Sequence, residues 1–187
     1  LLCNYLGTVP MRNEQVFSDV PTSHRYSKYI WAMNKLGIMN GVGGGKFNPD
    51  SELSMQEFAV MATNIIQWEK AKAVEIAATW KDTNSLIDEY KPEEIAQIDA
   101  DYRKRAEEGY TLPADGRYTS KVFADDDQIA TWAKAAVDEL SAWGILQGDS
   151  SGSNSRLNPT EALSKTRFLV FLYKFDQKFS LSAEIVF

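Results

Sequence analysis

The stretch "GIMNGVGGGKFNPDSELSMQEF", residues 37–58, decides how the chain reads. A Gly-Ile pair closes one apolar segment, glycines follow at 41 and 43–45, and Asn48-Pro49 comes just before a second apolar segment. Glycine at 37 can take the left-handed conformation that terminates a helix, and the next Ile can fold back onto that helix. Proline restricts the residue before it and holds the chain turned or extended. Ser54-Met55-Gln56-Glu57 then fits a capping box, in which Ser and Glu each satisfy an orphan backbone donor. The stretch therefore predicts helix, glycine loop, helix.

The same order returns in "GILQGDSSGSNSRLNPTEALSKTRF", residues 144–168. Here Ser164 can cap, but Arg167 stands in the place of the Glu, so the reciprocal bond is lost. Upstream, Phe17-Ser18-Asp19-Val20-Pro21 opens the first unit and Phe123-Ala124-Asp125-Asp126-Asp127 opens the second. Each is followed by apolar residues at helical spacing: Tyr26, Tyr29, Ile30, Met33 and Leu36, then Ile129, Trp132, Ala133, Ala136, Val137, Leu140 and Trp143. After the Asn-Pro pairs come Phe58, Met61, Ala62, Ile65 and Trp68, and then Phe168, Phe171, Leu172 and Phe175. Two helices cannot bury both their apolar stripes alone, so such units pack on each other or on further copies. The fold class expected is all-α.

The chain has 187 residues, 44% of them hydrophobic and 25% charged, enough for a substantial core. A net charge of −6 argues against nucleic acid, whose phosphates need clustered Lys and Arg. No apolar run reaches the length of a membrane span. The single cysteine, Cys3, cannot form an internal disulfide and reads as a small packing residue. His24, the one histidine, has no nucleophile and acid around it in a recognisable pattern and reads as a capping or packing residue. Asp125–Asp127 lack the alternating oxygen ligands of a calcium loop and read as helix-start residues. Gly41–Gly45 is followed by no Gly-Lys-Ser/Thr and is not a phosphate loop. No catalytic constellation, metal or cofactor is expected.

The two units resemble the S-layer homology (SLH) family. The resemblance rests on Phe17, Asp19, Val20, Pro21, Leu36, Gly37, Ile38, Gly41, Gly45, Phe47, Pro49, Ser54, Glu57 and Phe58. In the second copy it rests on Phe123, Asp125, Trp132, Gly144, Ile145, Gly148, Pro159, Ser164, Lys165 and Phe168. Leu1–Gly7 look like the end of a preceding copy. The organisation expected is 1–15 as that tail and a linker, 16–68 as one repeat, 69–122 as an insert, 123–176 as the second repeat and 177–187 as an extension. The insert, with a helix opening near Pro92 and stopping at Gly109, is either a hairpin beside the repeats or a spacer. Residues 181–187 are apolar enough for a short strand or a docked extension.

The resemblance implies a noncovalent anchor of an exported bacterial surface protein, extracellular and held on cell-wall polysaccharide, in this family often one carrying pyruvate ketals. It also implies further repeats of a longer parent chain as partners. Its binding grooves are lined by a motif Arg, loop backbone, an aromatic and acidic residues. In the first copy the motif Arg position is Met55 and the helix aromatic position is Arg25. In the second the positions hold Lys165 and Trp132. The candidate glycan residues are therefore Lys165, Trp132, Asp125, Gly148 and Arg167, with Asp19, Gly41 and Arg25 in the first copy. The competing reading is a structural or protein-interaction module whose repeats only pack. An incomplete set of repeats leaves apolar edges that could pair between chains as a homodimer.

Overall fold

A computed structural model describes residue 10 and residues 12–83, 90–150 and 154–179. The expectations for Leu1–Gly7 and for 181–187 lie outside the described residues. Five α-helices and no strand are present among the described residues, so the protein is all-α: α1 (Ser27–Lys35), α2 (Met55–Thr83), α3 (Pro92–Glu108), α4 (Thr131–Ala142) and α5 (Lys165–Phe179). A 3₁₀ turn spans Asp126–Gln128. None of the described helices is long and apolar enough to cross a membrane. The chain divides into two compact units, Leu1–Leu53 and Ser54–Phe187.

In the first unit, Phe17, Val20 and Ile30 form a small core with Phe47 against it. The Phe17 and Phe47 rings lie 5.2 Å apart. At the end of α1, Gly37 takes φ +72°, and the Ile38 and Met39 N–H groups donate back to the Met33 carbonyl at 2.9 and 3.2 Å. That is the left-handed stop expected of Gly-Ile. It buries Ile38, a contribution of roughly 2 kcal/mol. Tyr26 and Tyr29 depart from the expected buried stripe. They are 46% and 37% exposed, and the short α1 begins only at Ser27, so Ile30, Ala32 and Met33 carry its packing.

In the second unit, α2 continues without a break from the capping box to Thr83. The Ser54 N–H donates to Glu57 Oε2 at 2.8 Å, and the Glu57 N–H donates to Ser54 Oγ at 3.4 Å. Its distal half pairs with α3 as a hairpin. Trp80 stacks on Tyr102 at 5.6 Å and donates from Nε1 to Asp99 at 2.9 Å; Lys81 and Arg103 also hold Asp99. Pro92 opens α3 and the Lys91 N–H donates to Glu94, as the first-turn pattern predicts. The return loop is fastened to the second repeat. Tyr110 stacks on Phe179, Tyr118 packs on Trp143, and the Lys121 N–H donates to Ser141 Oγ. The insert is thus a helical hairpin packed on the second repeat. Phe58 stacks on Phe171 at 5.0 Å, which ties α2 to α5.

Candidate functional site at the second glycine loop

The backbone of both glycine loops is held by the same device. The Asp19 carboxylate accepts the Phe47 and Asn48 N–H groups at 2.9 and 2.8 Å. The Asp125 carboxylate accepts those of Leu157 and Asn158, both at 2.8 Å. The following Asn residues, Asn48 and Asn158, sit at φ 60° and 56°, a conformation Asn tolerates because its short polar side chain bonds locally. The N–H donors, Phe47 first, hold the Asp19 carboxyl below the usual carboxylate range. Gly41 and Gly148 also correspond. A Cβ on Gly41 would stand 2.6 Å from the Phe17 ring, and one on Gly148 would stand 3.2 Å from Phe123 and collide with Ser155. Phe17 and Phe123 therefore have matching surroundings.

This geometry reassigns several of the residues named from sequence. Asp125 is fully buried, with Arg156 Nε 3.8 Å from its carboxylate. It makes no side-chain cap on the 3₁₀ turn, so helix-start capping does not describe it; its oxygens are turned inward to the loop. Asp126 instead pairs with Lys134 at 3.2 Å. Asp19 performs the same loop-holding role as Asp125, and Gly41 is pressed on Phe17. Arg25 lies 4.4 Å over the ring of Tyr26 on the surface of the first unit. His24 Nδ1 accepts the Tyr26 N–H at 3.3 Å, a local contact just ahead of α1, which carries no side-chain cap of its own.

The remaining residues belong to the second unit. Lys165 is exposed at the first position of α5, and Ser164 Oγ accepts the Arg167 N–H at 3.2 Å. Trp132 is 59% exposed on α4, although its spacing places it with the buried residues around it. Gly148 and Arg167 meet at one cavity of about 170 Å³, floored by Leu157 and Phe171 and edged by Val170 and Lys174. Lys165 and Trp132 do not line it. Lys174 was missed from sequence. Its helical spacing from Arg167, seven residues and two turns, is what could have revealed it. Desolvation pushes the Lys174 ammonium below its ordinary value. Two cations over an apolar floor, with no carboxylate among the described lining residues, can accept an anionic group.

The start of α2, the equivalent helix start in the first copy, is covered from within the second unit. Met55 is fully buried, and the first two N–H groups of α2 donate to the second loop: Met55 to the Glu161 carbonyl at 3.1 Å and Gln56 to that of Pro159 at 2.9 Å. The Gln56 side chain accepts the Ala130 N–H at 3.0 Å, locking the start of α4 to that of α2.

Residues 16–59 match the family model described as S-layer homology domain. Over those residues the chain is similar to that domain. Its matched segment holds the first Phe-x-Asp-Val-Pro, α1, the glycine loop and the first turn of α2. The chain is also 24% identical over 178 residues to the Surface-layer 125 kDa protein of Lysinibacillus sphaericus, covering 87% of this chain. It spans 15% of that relative's length. No solved structure matches this chain. The second repeat, from Phe123 onward, repeats the two aspartate-to-loop hydrogen bonds of the matched segment.

Proposed function

We propose that this chain is a noncovalent cell-surface anchoring module and that its second repeat contacts bacterial cell-wall polysaccharide. The S-layer homology match and the surface-layer relative support the anchoring role in general. The observation that carries the assignment to the second repeat is the contrast between Met55, fully buried, and Lys165, exposed at the equivalent start of α5. A polymer can reach only the latter. Lys165 and Arg167 supply cations for acidic sugar substituents, such as pyruvate ketals, while Trp132 offers an exposed ring face to a sugar. Gly148 allows close backbone approach beside Arg167.

Co-sedimentation with purified bacterial cell walls tests this. Lys165→Ala with Arg167→Ala is expected to weaken retention at least about tenfold, the loss of two charge-assisted contacts. Arg25→Ala in the first repeat is expected to leave retention unchanged. Undiminished binding by the double variant removes the site. Absence of wall binding by the parent chain favours the second reading, a packing module, which the loss of the motif Arg to buried Met55 supports.

A further inference from the structure

Both glycine loops are entered by the same run of positions, Gly37-Ile38-Met39-Asn40-Gly41 and Gly144-Ile145-Leu146-Gln147-Gly148. The last of them has to be glycine in each repeat. Gly41 and Gly148 sit at φ 76° and 75°. A Cβ on either would meet the ring of that repeat's own Phe, Phe17 or Phe123, and a backbone carbonyl, that of Lys46 or Arg156. With the glycine fixed, the residue before it sets the chemistry of the pair. It is Asn in the first repeat and Gln in the second.

In an Asn-Gly pair the glycine nitrogen reaches the preceding side-chain amide with little hindrance, because glycine has no Cβ and permits the backbone rotation required. The first loop adds local conditions that favour this approach. Asn40 and Gly41 lie outside any helix, between the stop of α1 and the hydrogen bond from the Val42 N–H to the Lys46 carbonyl, and both are exposed. Among the described residues, the Gly41 N–H meets no acceptor and the Asn40 side chain no partner. In the second loop the Gln147 carbonyl is held by Lys121 Nζ at 2.8 Å and by Ser155 Oγ at 3.1 Å. Asn48 and Asn158 precede proline, whose nitrogen carries no hydrogen, and Asn34 and Asn64 are held inside helices.

We propose that Asn40 is a site of spontaneous deamidation, and that its product loosens the first glycine loop while the second is spared. The Gly41 N–H gives its proton to hydroxide, and the nitrogen attacks Asn40 Cγ. The new N–Cγ bond closes a five-membered succinimide; the Cγ–Nδ2 bond breaks, and Nδ2 takes a proton from water and leaves as ammonia. Water then opens the ring. Cleavage at N–Cγ leaves aspartate at position 40. Cleavage between that nitrogen and the backbone carbonyl carbon leaves isoaspartate, with the chain running through Cβ and Cγ. Water and hydroxide are the only co-reactants. Gln147 has to close a six-membered ring and freeze one more side-chain torsion, so it reacts more slowly. Isoaspartate lengthens the backbone by one methylene directly before Gly41, which has no spare room against Phe17 and the Lys46 carbonyl. Phe17 belongs to the small core of the first unit, and the Ser18, Val42 and Lys46 N–H groups hold the loop through the Gly45, Lys46 and Gly43 carbonyls. This chemistry goes beyond the anchoring reading and is independent of wall binding.

Ageing the purified chain at mildly alkaline pH, followed by peptide mapping with mass spectrometry, tests the proposal, with a synthetic peptide of residues 36–44 as the unfolded reference. Conversion at Asn40 is expected to outpace that at Gln147 by at least about tenfold and to yield isoaspartate as well as aspartate. It is expected to rise about tenfold per pH unit, because the amide nitrogen must first lose its proton. Asn40→Gln, which copies the pair of the second loop, is expected to stop it. Hydrogen exchange at residues 42–48 is expected to be at least about tenfold faster in the aged parent than in the fresh one, with 155–158 unchanged, and to stay unchanged in aged Asn40→Gln. Protection of Asn40 in the folded chain by more than about a hundredfold relative to the peptide overturns the proposal. So does a deamidated chain whose exchange at residues 42–48 matches that of the fresh protein.

Discussion

Helices α2 and α5 both follow an Asn-Pro turn and a Ser at the cap position, yet their first turns face opposite environments. At α2 the Ser54–Glu57 box is closed, Met55 is fully buried and two N–H groups are taken by carbonyls from the other repeat. At α5 only Ser164 caps, and Lys165 stands in solvent. The difference teaches why one motif position carries a thioether and the other an ammonium. A cation at the covered start would be desolvated without a partner, whereas at the open one it costs nothing and faces any anion that approaches.

Moving charge between the two positions breaks or sharpens that comparison most. Met55→Arg is expected to destabilise the protein by about 4 kcal/mol, the order of an unpaired charge forced into a packed site. Lys165→Arg is expected to leave stability unchanged and to strengthen wall retention through its planar fork. Urea unfolding of both variants measures the first effect. A Met55→Arg protein as stable as the parent would mean that the start of α2 opens readily.

The two loop-holding aspartates give a smaller contrast. Asp125→Ala leaves the N–H groups of Leu157 and Asn158 without acceptors in a buried place and is expected to cost about 3 kcal/mol. Asp19→Ala is expected to cost less, because Asp19 is half-buried and water can replace its oxygens. The folded-state pKa of Asp19 is depressed. Its contribution is therefore present above its unfolded pKa and lost as pH falls through the folded one. Thermal melts of Asp19→Ala and the parent should converge at acidic pH.

The smallest expected effect concerns α2 alone. Burial raises the Glu69 carboxyl above its ordinary value, only partly offset by Lys72. A raised acid favours the folded state while protonated and opposes it once ionised. Glu69→Gln should raise Tm by one or two degrees, roughly, at pH 7 and by nothing below the unfolded carboxylate pKa. Differential scanning calorimetry at the two pH values decides it.

Much of the fold could be read along the chain because the instructions are short-range. Gly37 and Gly144 stop helices through their own φ, Pro92 opens one through its fixed φ, and Ser54 with Glu57 closes a box within one turn. The candidate site was only half legible. Lys165, Arg167 and Gly148 are visible as charges and a glycine near a helix start, but Asp125 looks like a helix-start acid until its oxygens are found on Leu157 and Asn158. Trp132 fits the apolar spacing of α4 yet lies in solvent, since periodicity shows which residues share a face and not what covers that face.

The residues by themselves settled the helix–loop–helix order of both repeats and where their first helices stop, because those follow from backbone preferences acting over a few positions. Tertiary structure alone decided which helix start is sealed and which is open, that the hairpin of α2 and α3 is fastened to the second repeat, and that Lys174 shares a cavity with Arg167. Those outcomes depend on groups distant in sequence competing for the same backbone donors and the same apolar surface, which no local pattern records.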